Sequence, residues 1–152
     1  MYKSVLFLML SILMSIPLNA QTQEQEVQSV IETLFDGMRA GDSTMVASAF
    51  SRDAIMQTIA NNQAGEVIKR EGNLSQFLTA VGTPHEQVWD ERIGGYEIKI
   101  DGDLASAWTP YQFYVGDNFS HCGVNSFNLA KMAGEWKIIY IVDTRRTSNC
   151  VE

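Results

Sequence analysis

The sequence predicts an α+β fold: a cone-shaped roll of about three N-terminal helices packed on a strongly bent, mainly antiparallel sheet of about six strands. Helical periodicity is concentrated before residue 82, whereas residues 88–143 form a succession of β-rich runs divided by turn chemistry. Helices and strands do not alternate as βαβ units, so a parallel doubly wound sheet is not expected.

The first element lies outside the fold. Lys3, the apolar run from Val5 to Ile16, Pro17 and the small-residue ending before Gln21 make residues 1–20 a secretory signal peptide, with cleavage expected after Ala20. The run is short for a bilayer span, which takes about 20 apolar residues. No cysteine follows it where a lipoprotein would be acylated. Residues 21–152 are therefore expected as one periplasmic or secreted domain, released from the membrane once the signal is cleaved.

Within that domain, Val27, Val30, Ile31, Leu34, Phe35 and Met38 recur at the spacing of one helical face, and Gly41 stops the helix. Asp42 or Ser43 caps a shorter helix carrying Met45, Val46, Ala49 and Phe50. Residues 54–60 and 66–71 read as two short strands around a polar turn. Leu74, Phe77, Leu78 and Val81 align in a third helix behind Asn73 and before Gly82 and Pro84. Four long strands follow as a meander: 96–100, 104–115, 119–131 and 135–142. Helices covering one face of such a sheet leave a cone open at one end, where a small ligand fits.

Charge narrows the partners. Without Lys3, ten basic residues face eighteen acidic ones, a net charge of −8. The longest basic string is Arg145-Arg146, so a nucleic-acid partner is not expected. A metal site is not expected either, because no Cys-x-x-Cys or His-x-x-x-His spacing occurs and a closed zinc site needs four ligands.

The order of elements, with "FSHCGVNSFNLAK", "GEWKI" and "VDTRR", resembles the nuclear transport factor 2-like superfamily, within it a secreted bacterial group labelled putative lumazine-binding and neighbouring the SnoaL-like cyclases. The resemblance spans essentially all of residues 21–152 and implies the cone fold and a homodimer formed through the exposed sheet. It does not decide function, because the superfamily holds isomerases, dehydratases, cyclases, binding proteins and interaction modules.

The "SHCGVNSF" stretch, residues 120–127, places one of two histidines beside one of two cysteines. Neighbouring strand residues point to opposite faces, so His121 and Cys122 do not form a base–thiol pair. In an exported protein Cys122 and Cys150 are expected to form a disulfide, the alternative being two free thiols. If Ala133-Gly134 is a two-residue turn, Cys122 falls opposite Arg145. The same register puts His121, Asn125, Phe127 and Leu129 on one face with Trp136, Ile138, Tyr140 and Val142. Gly123 is a candidate bulge that would shift this register.

His121 is thus either a pocket residue capable of proton transfer or a histidine satisfied by a structural partner. Asp143, Arg145 and Arg146 form either a pocket rim, with a carboxylate base or an anion clamp, or an ion pair pinning the tail. Trp108, Tyr111, Phe113 and Tyr114 alternate along one strand, and which of them enters the pocket depends on the length of the turn at Gly116. Asp90, Glu91 and Arg92 read as a solvated face.

The leading expectation is a binder of a small, partly aromatic molecule, using no cofactor and contacting its ligand through Trp108, Tyr111, Tyr114, Asn125, Tyr140 and Arg145. The alternatives are a cofactor-independent enzyme using His121 or Asp143, with Tyr111 or Tyr114 as hydrogen-bond donor, and an interaction module whose cone is filled with side chains.

Overall fold

A computed structural model describes residues 21–150. The expected signal peptide, residues 1–20, lies outside the described residues. The elements run α1 (Gln23–Ala40), α2 (Ser43–Ala49), β1 (Phe50–Asn61), β2 (Val67–Glu71), α3 (Leu74–Gly82), β3 (Trp89–Ile93), β4 (Glu97–Asp101), β5 (Leu104–Val115), β6 (Asn118–Met132) and β7 (Glu135–Thr144).

Local chemistry sets the helix ends. Thr22 and Gln25 form a reciprocal capping box at the start of α1, and Gly41 closes it in the left-handed conformation. Asp42 caps α2 by accepting from the backbone N–H groups of Thr44 and Met45, and Asn73 caps α3 by accepting from that of Gln76. Phe50, expected inside α2, instead begins β1 directly.

The seven strands form one sheet in the order β2-β1-β7-β6-β5-β3, with β4 also paired to β5. The strand beyond the expected six is β3. It pairs with residues 111–115 of β5 while β4 pairs with residues 104–108, so the two short strands share one long, bent neighbour. All pairings are antiparallel except β1 with β7, a long-range parallel pair that closes the sheet around the helices.

Inward residues of the sheet, among them Ala105, Ala107, Phe127, Leu129, Trp136 and Ile138, are buried against the α1 stripe of Val27, Ile31, Leu34, Phe35 and Met38. Phe127 meets Phe35 edge-on at 6.3 Å. At the other end of the cone the packing opens. Leu34, Phe35, Met38 and Ile141, which close the core on one side, line a cavity on the other.

Two register shifts aim the side chains in that cavity. The turn between β5 and β6 is two residues long, because Val115 pairs with Asn118. One step later the ladder skips Ser120: Tyr114 pairs with Phe119, but Phe113 pairs with His121. The extra residue brings His121 to the inner face beside Phe113. In the β6–β7 hairpin, Met132 pairs with Glu135 as expected around Ala133-Gly134, and the expected register holds as far as Leu129–Ile138. Then Asn128 pairs with Tyr140, skipping Ile139.

Three expectations change with that bulge. Cys122 lies opposite Arg146, not Arg145. Tyr140 and Val142 leave the inner face, and Ile141 and Asp143 replace them there. Gly123 is not the bulge; a side chain there would collide with the carbonyl oxygen of Thr144, which folds over it. Glycine is needed for this close approach of two backbones.

Cys122 is fully buried on the outer side of β6 and is joined to Cys150 by a disulfide, their Cα atoms 5.7 Å apart. The bridge holds the C-terminal tail against β6, where Arg146 and Cys122 also exchange both backbone hydrogen bonds.

Candidate functional site

The cavity at the open end of the cone has a volume of about 570 Å³, within the range of small-molecule sites. Its walls are mostly apolar and aromatic: Phe35 of α1, Phe50 at the start of β1, Phe77 of α3, Trp89 of β3 and Phe113 of β5. One end is polar, built from Glu91 on β3, His121 and Asn125 on β6, Asp143 on β7 and Arg145 just beyond it. The cone is open, so it is not the side-chain-filled cone of an interaction module.

Glu91 was read from sequence as solvated and is the largest departure. Along "WDERI", Trp89, Glu91 and Ile93 point inward, while Asp90 and Arg92 point out. Asp90 is paired with Arg39 and Arg92, and Arg92 stacks over the ring of Tyr114 at 4.0 Å. Only the central carboxylate of the charged triplet is turned into the cavity. Asn125 Nδ2 donates to Glu91 Oε1 at 2.7 Å. Burial pushes the Glu91 carboxyl up to about 7, against the Asn125 hydrogen bond; the Asp143 charge adds to the rise and Arg145 opposes it.

Asp143 is held differently. Thr58 Oγ1 donates to Oδ1, Arg145 Nε to Oδ2 at 2.7 Å, and the Tyr111 hydroxyl reaches Oδ2 at 3.2 Å. The single Tyr111 proton is shared with the Thr144 carbonyl at 2.9 Å. Burial and the neighbouring Asp143 and Glu91 charges raise the Tyr111 phenol far above its ordinary range. Asp143 thus accepts from three side chains. Asp143 and Arg145 form an ion pair, and both line the cavity.

His121 stands at the cavity wall between the rings of Tyr111 and Phe113, with Ser120 Oγ 3.0 Å from Nδ1. Burial, and then the Arg145 cation, lower its pKa, with the Asp143 charge opposing them.

The other sequence candidates lie elsewhere. Tyr111 is buried behind the polar end and holds Asp143 and Thr144 rather than lining the void. Trp108 and Tyr114 take the even, outward positions of β5. Trp108 is 49 % exposed, and Tyr114 donates to Gln112. Tyr140, turned by the Ile139 bulge, donates to Gln57. Arg146 binds the Asn149 carbonyl in the tail. Among the described residues no group of three or more His, Cys, Asp or Glu side chains could hold a metal ion.

A cone of three helices on a bent sheet of seven strands, open at one end to a cavity, defines the nuclear transport factor 2-like class. Within that class, the chain belongs to the family described as "Putative lumazine-binding", whose profile matches residues 22–142. No curated protein matches. Solved structures that it resembles include a nuclear transport factor 2-like protein of unknown function from Shewanella baltica (19% identity, 85% of this chain and 100% of that one, TM-score 0.60). Another such protein, from Pseudomonas putida, shares 18% identity over 83% of this chain and 88% of that one, with a TM-score of 0.62. A third, from Novosphingobium aromaticivorans, is described as the beta subunit of a "putative aromatic-ring-hydroxylating dioxygenase" (14% identity, 83% and 90% covered, TM-score 0.66). At these identities the likeness shows the fold alone.

Proposed function

We propose that this protein is an exported small-molecule-binding protein whose cone holds a flat, partly aromatic ligand. The observation that carries the reading is the composition of the cavity: aromatic walls against which a ring can stack, and one polar end to fix its orientation. The family description is consistent with a heteroaromatic ligand. The test is native mass spectrometry of protein purified from its own host, followed by fluorescence titration with lumazine. A retained small molecule, or saturable binding that Phe113→Ala weakens, supports the reading; an empty protein that binds no flat ring sinks it.

Export is part of the proposal. N-terminal sequencing of the protein from the periplasm or medium should begin at Gln21; an intact Met1 in the cytoplasmic fraction would contradict it. A homodimer is also proposed, through the outer sheet face where Leu104, Trp108, Phe119 and Met132 are exposed. Trp108→Glu should then turn a dimer into a monomer in sedimentation, and a wild-type monomer would refute the dimer.

A further inference from the structure

Glu91 and Asn125 are hydrogen-bonded to each other at the cavity wall, and each keeps bonding capacity to spare. Their mutual hydrogen bond uses one hydrogen of Asn125 Nδ2 and one oxygen of Glu91. Among the described residues, Glu91 Oε2, Asn125 Oδ1 and the second Nδ2 hydrogen have no partner. The polar side-chain atoms sealed from solvent without a partner are Ser51 Oγ and Thr109 Oγ1; the free atoms of Glu91 and Asn125 are not among them, and both side chains line the cavity. Glu91 Oε2 and Asn125 Oδ1 are therefore not sealed off from the cavity that their side chains line. Asp143, by contrast, accepts from Thr58, Tyr111 and Arg145.

We propose that Glu91 and Asn125 together read one edge of an uncharged ring that presents an N–H beside a C=O, the edge of a cyclic amide. Glu91 Oε2 accepts the ring N–H, and the free Nδ2 hydrogen of Asn125 donates to the adjacent carbonyl. Their mutual bond fixes acceptor and donor side by side before the ligand arrives, so little ordering is left for binding. The edge that Glu91 can accept from must carry a hydrogen, and Arg145 in the same cavity is joined to Asp143 through Nε. The aromatic walls select for a flat ring. This inference rests on the small-molecule reading above and adds the chemistry of the ligand edge and the residues that recognise it.

The experiment compares 2-quinolone, N-methyl-2-quinolone and quinoline as probes, by fluorescence or calorimetric titration of residues 21–152 at about pH 8.5, above the Glu91 value of about 7, so that the carboxylate is the acceptor. The three share a flat bicycle, but only 2-quinolone carries the N–H beside the C=O. The expected result is about tenfold tighter binding of 2-quinolone than of its N-methyl form, the scale of one good hydrogen bond to a charged group. In Glu91→Leu the preference should shrink to about twofold or less while N-methyl-2-quinolone binding persists, and Asn125→Ala should do the same from the carbonyl side. Thermal melting checks that each variant is folded, and either variant alone suffices. Equal binding of all three by the wild type, or a preference that survives in both variants, overturns the edge reading and leaves a flat-ring binder. Failure of all three to bind removes the binder reading, and the edge reading with it.

Discussion

Asn125 and Asp143 are direct partners in the β6–β7 register, yet Asn125 gives its hydrogen bond to Glu91, two strands away in the sheet order. The cavity therefore has two carboxylates under different regimes. Asp143 is saturated by Thr58, Tyr111 and Arg145, whereas Glu91 has one donor.

The contrast predicts opposite responses to neutralisation. Asp143→Ala leaves the Thr58 hydroxyl and the Arg145 guanidinium without their acceptor, while Tyr111 keeps the Thr144 carbonyl, and should cost about 1–3 kcal/mol in urea unfolding at pH 7. Glu91→Gln keeps size and hydrogen-bonding capacity and should cost nothing measurable or stabilise slightly. Equal losses would show that the two carboxyls are held alike.

Glu91 should also leave a signature in the pH dependence of stability. Its folded value of about 7 lies above the ordinary 4.5, so between those values the folded state binds more protons than the unfolded one. Stability from this group is present at low pH and is lost as pH rises toward 7. From pH 5 to pH 8 the wild type should lose about 1–3 kcal/mol relative to Glu91→Gln. Taking the difference between the two proteins cancels His121, whose lowered pKa acts with the opposite sign. A difference independent of pH would refute the burial of this carboxyl.

At Gly123 the constraint is steric. A methyl group there meets the Thr144 carbonyl and, at 2.9 Å, the Tyr111 ring. Gly123→Ala should push the end of β7 away, break the Tyr111–Thr144 bond and cost about 2–3 kcal/mol. The altered Tyr111 environment should appear in near-ultraviolet circular dichroism; an unchanged spectrum and unchanged stability would count against the close approach.

The Cys122–Cys150 bridge spans 28 residues of sequence, and loop entropy assigns it about 3–4 kcal/mol. Cys150→Ser should lower stability by that order. It should also speed hydrogen exchange at the Arg146 amide, which donates to the Cys122 carbonyl, more than at amides in mid-β6. Uniform acceleration along β6 would mean that the bridge stabilises the whole sheet and not its tail.

How much of this was legible in the sequence follows from the kind of signal each feature leaves. The helices, the meander, the Ala133-Gly134 turn and the disulfide could be read because periodicity, turn residues and cysteine count report them directly. The inward aim of Asp143 could not, because a bulge adds one residue without marking which; Ile139 and Ser120 look like ordinary strand residues. Glu91 was hidden by its neighbours, since a charged triplet reads as solvated although alternation sends its middle member inward. A strict period-two reading of "WDERI", with Trp89 and Ile93 as the inward pair, would have found it.

The bulge at Ile139 carries an evolutionary consequence. Were Ile139 taken into the ladder instead of skipped, Tyr140, Val142 and Thr144 would stand at the cavity wall in place of Ile141, Asp143 and Arg145, exchanging an ion pair for a phenol, a valine and a hydroxyl with no change of composition. Deleting Ile139 would have the opposite result, a regular ladder with the same residues inward. On this scaffold the binding chemistry thus depends on whether one residue is skipped, and relatives of equal strand length that lack the bulge are expected to differ in what they hold.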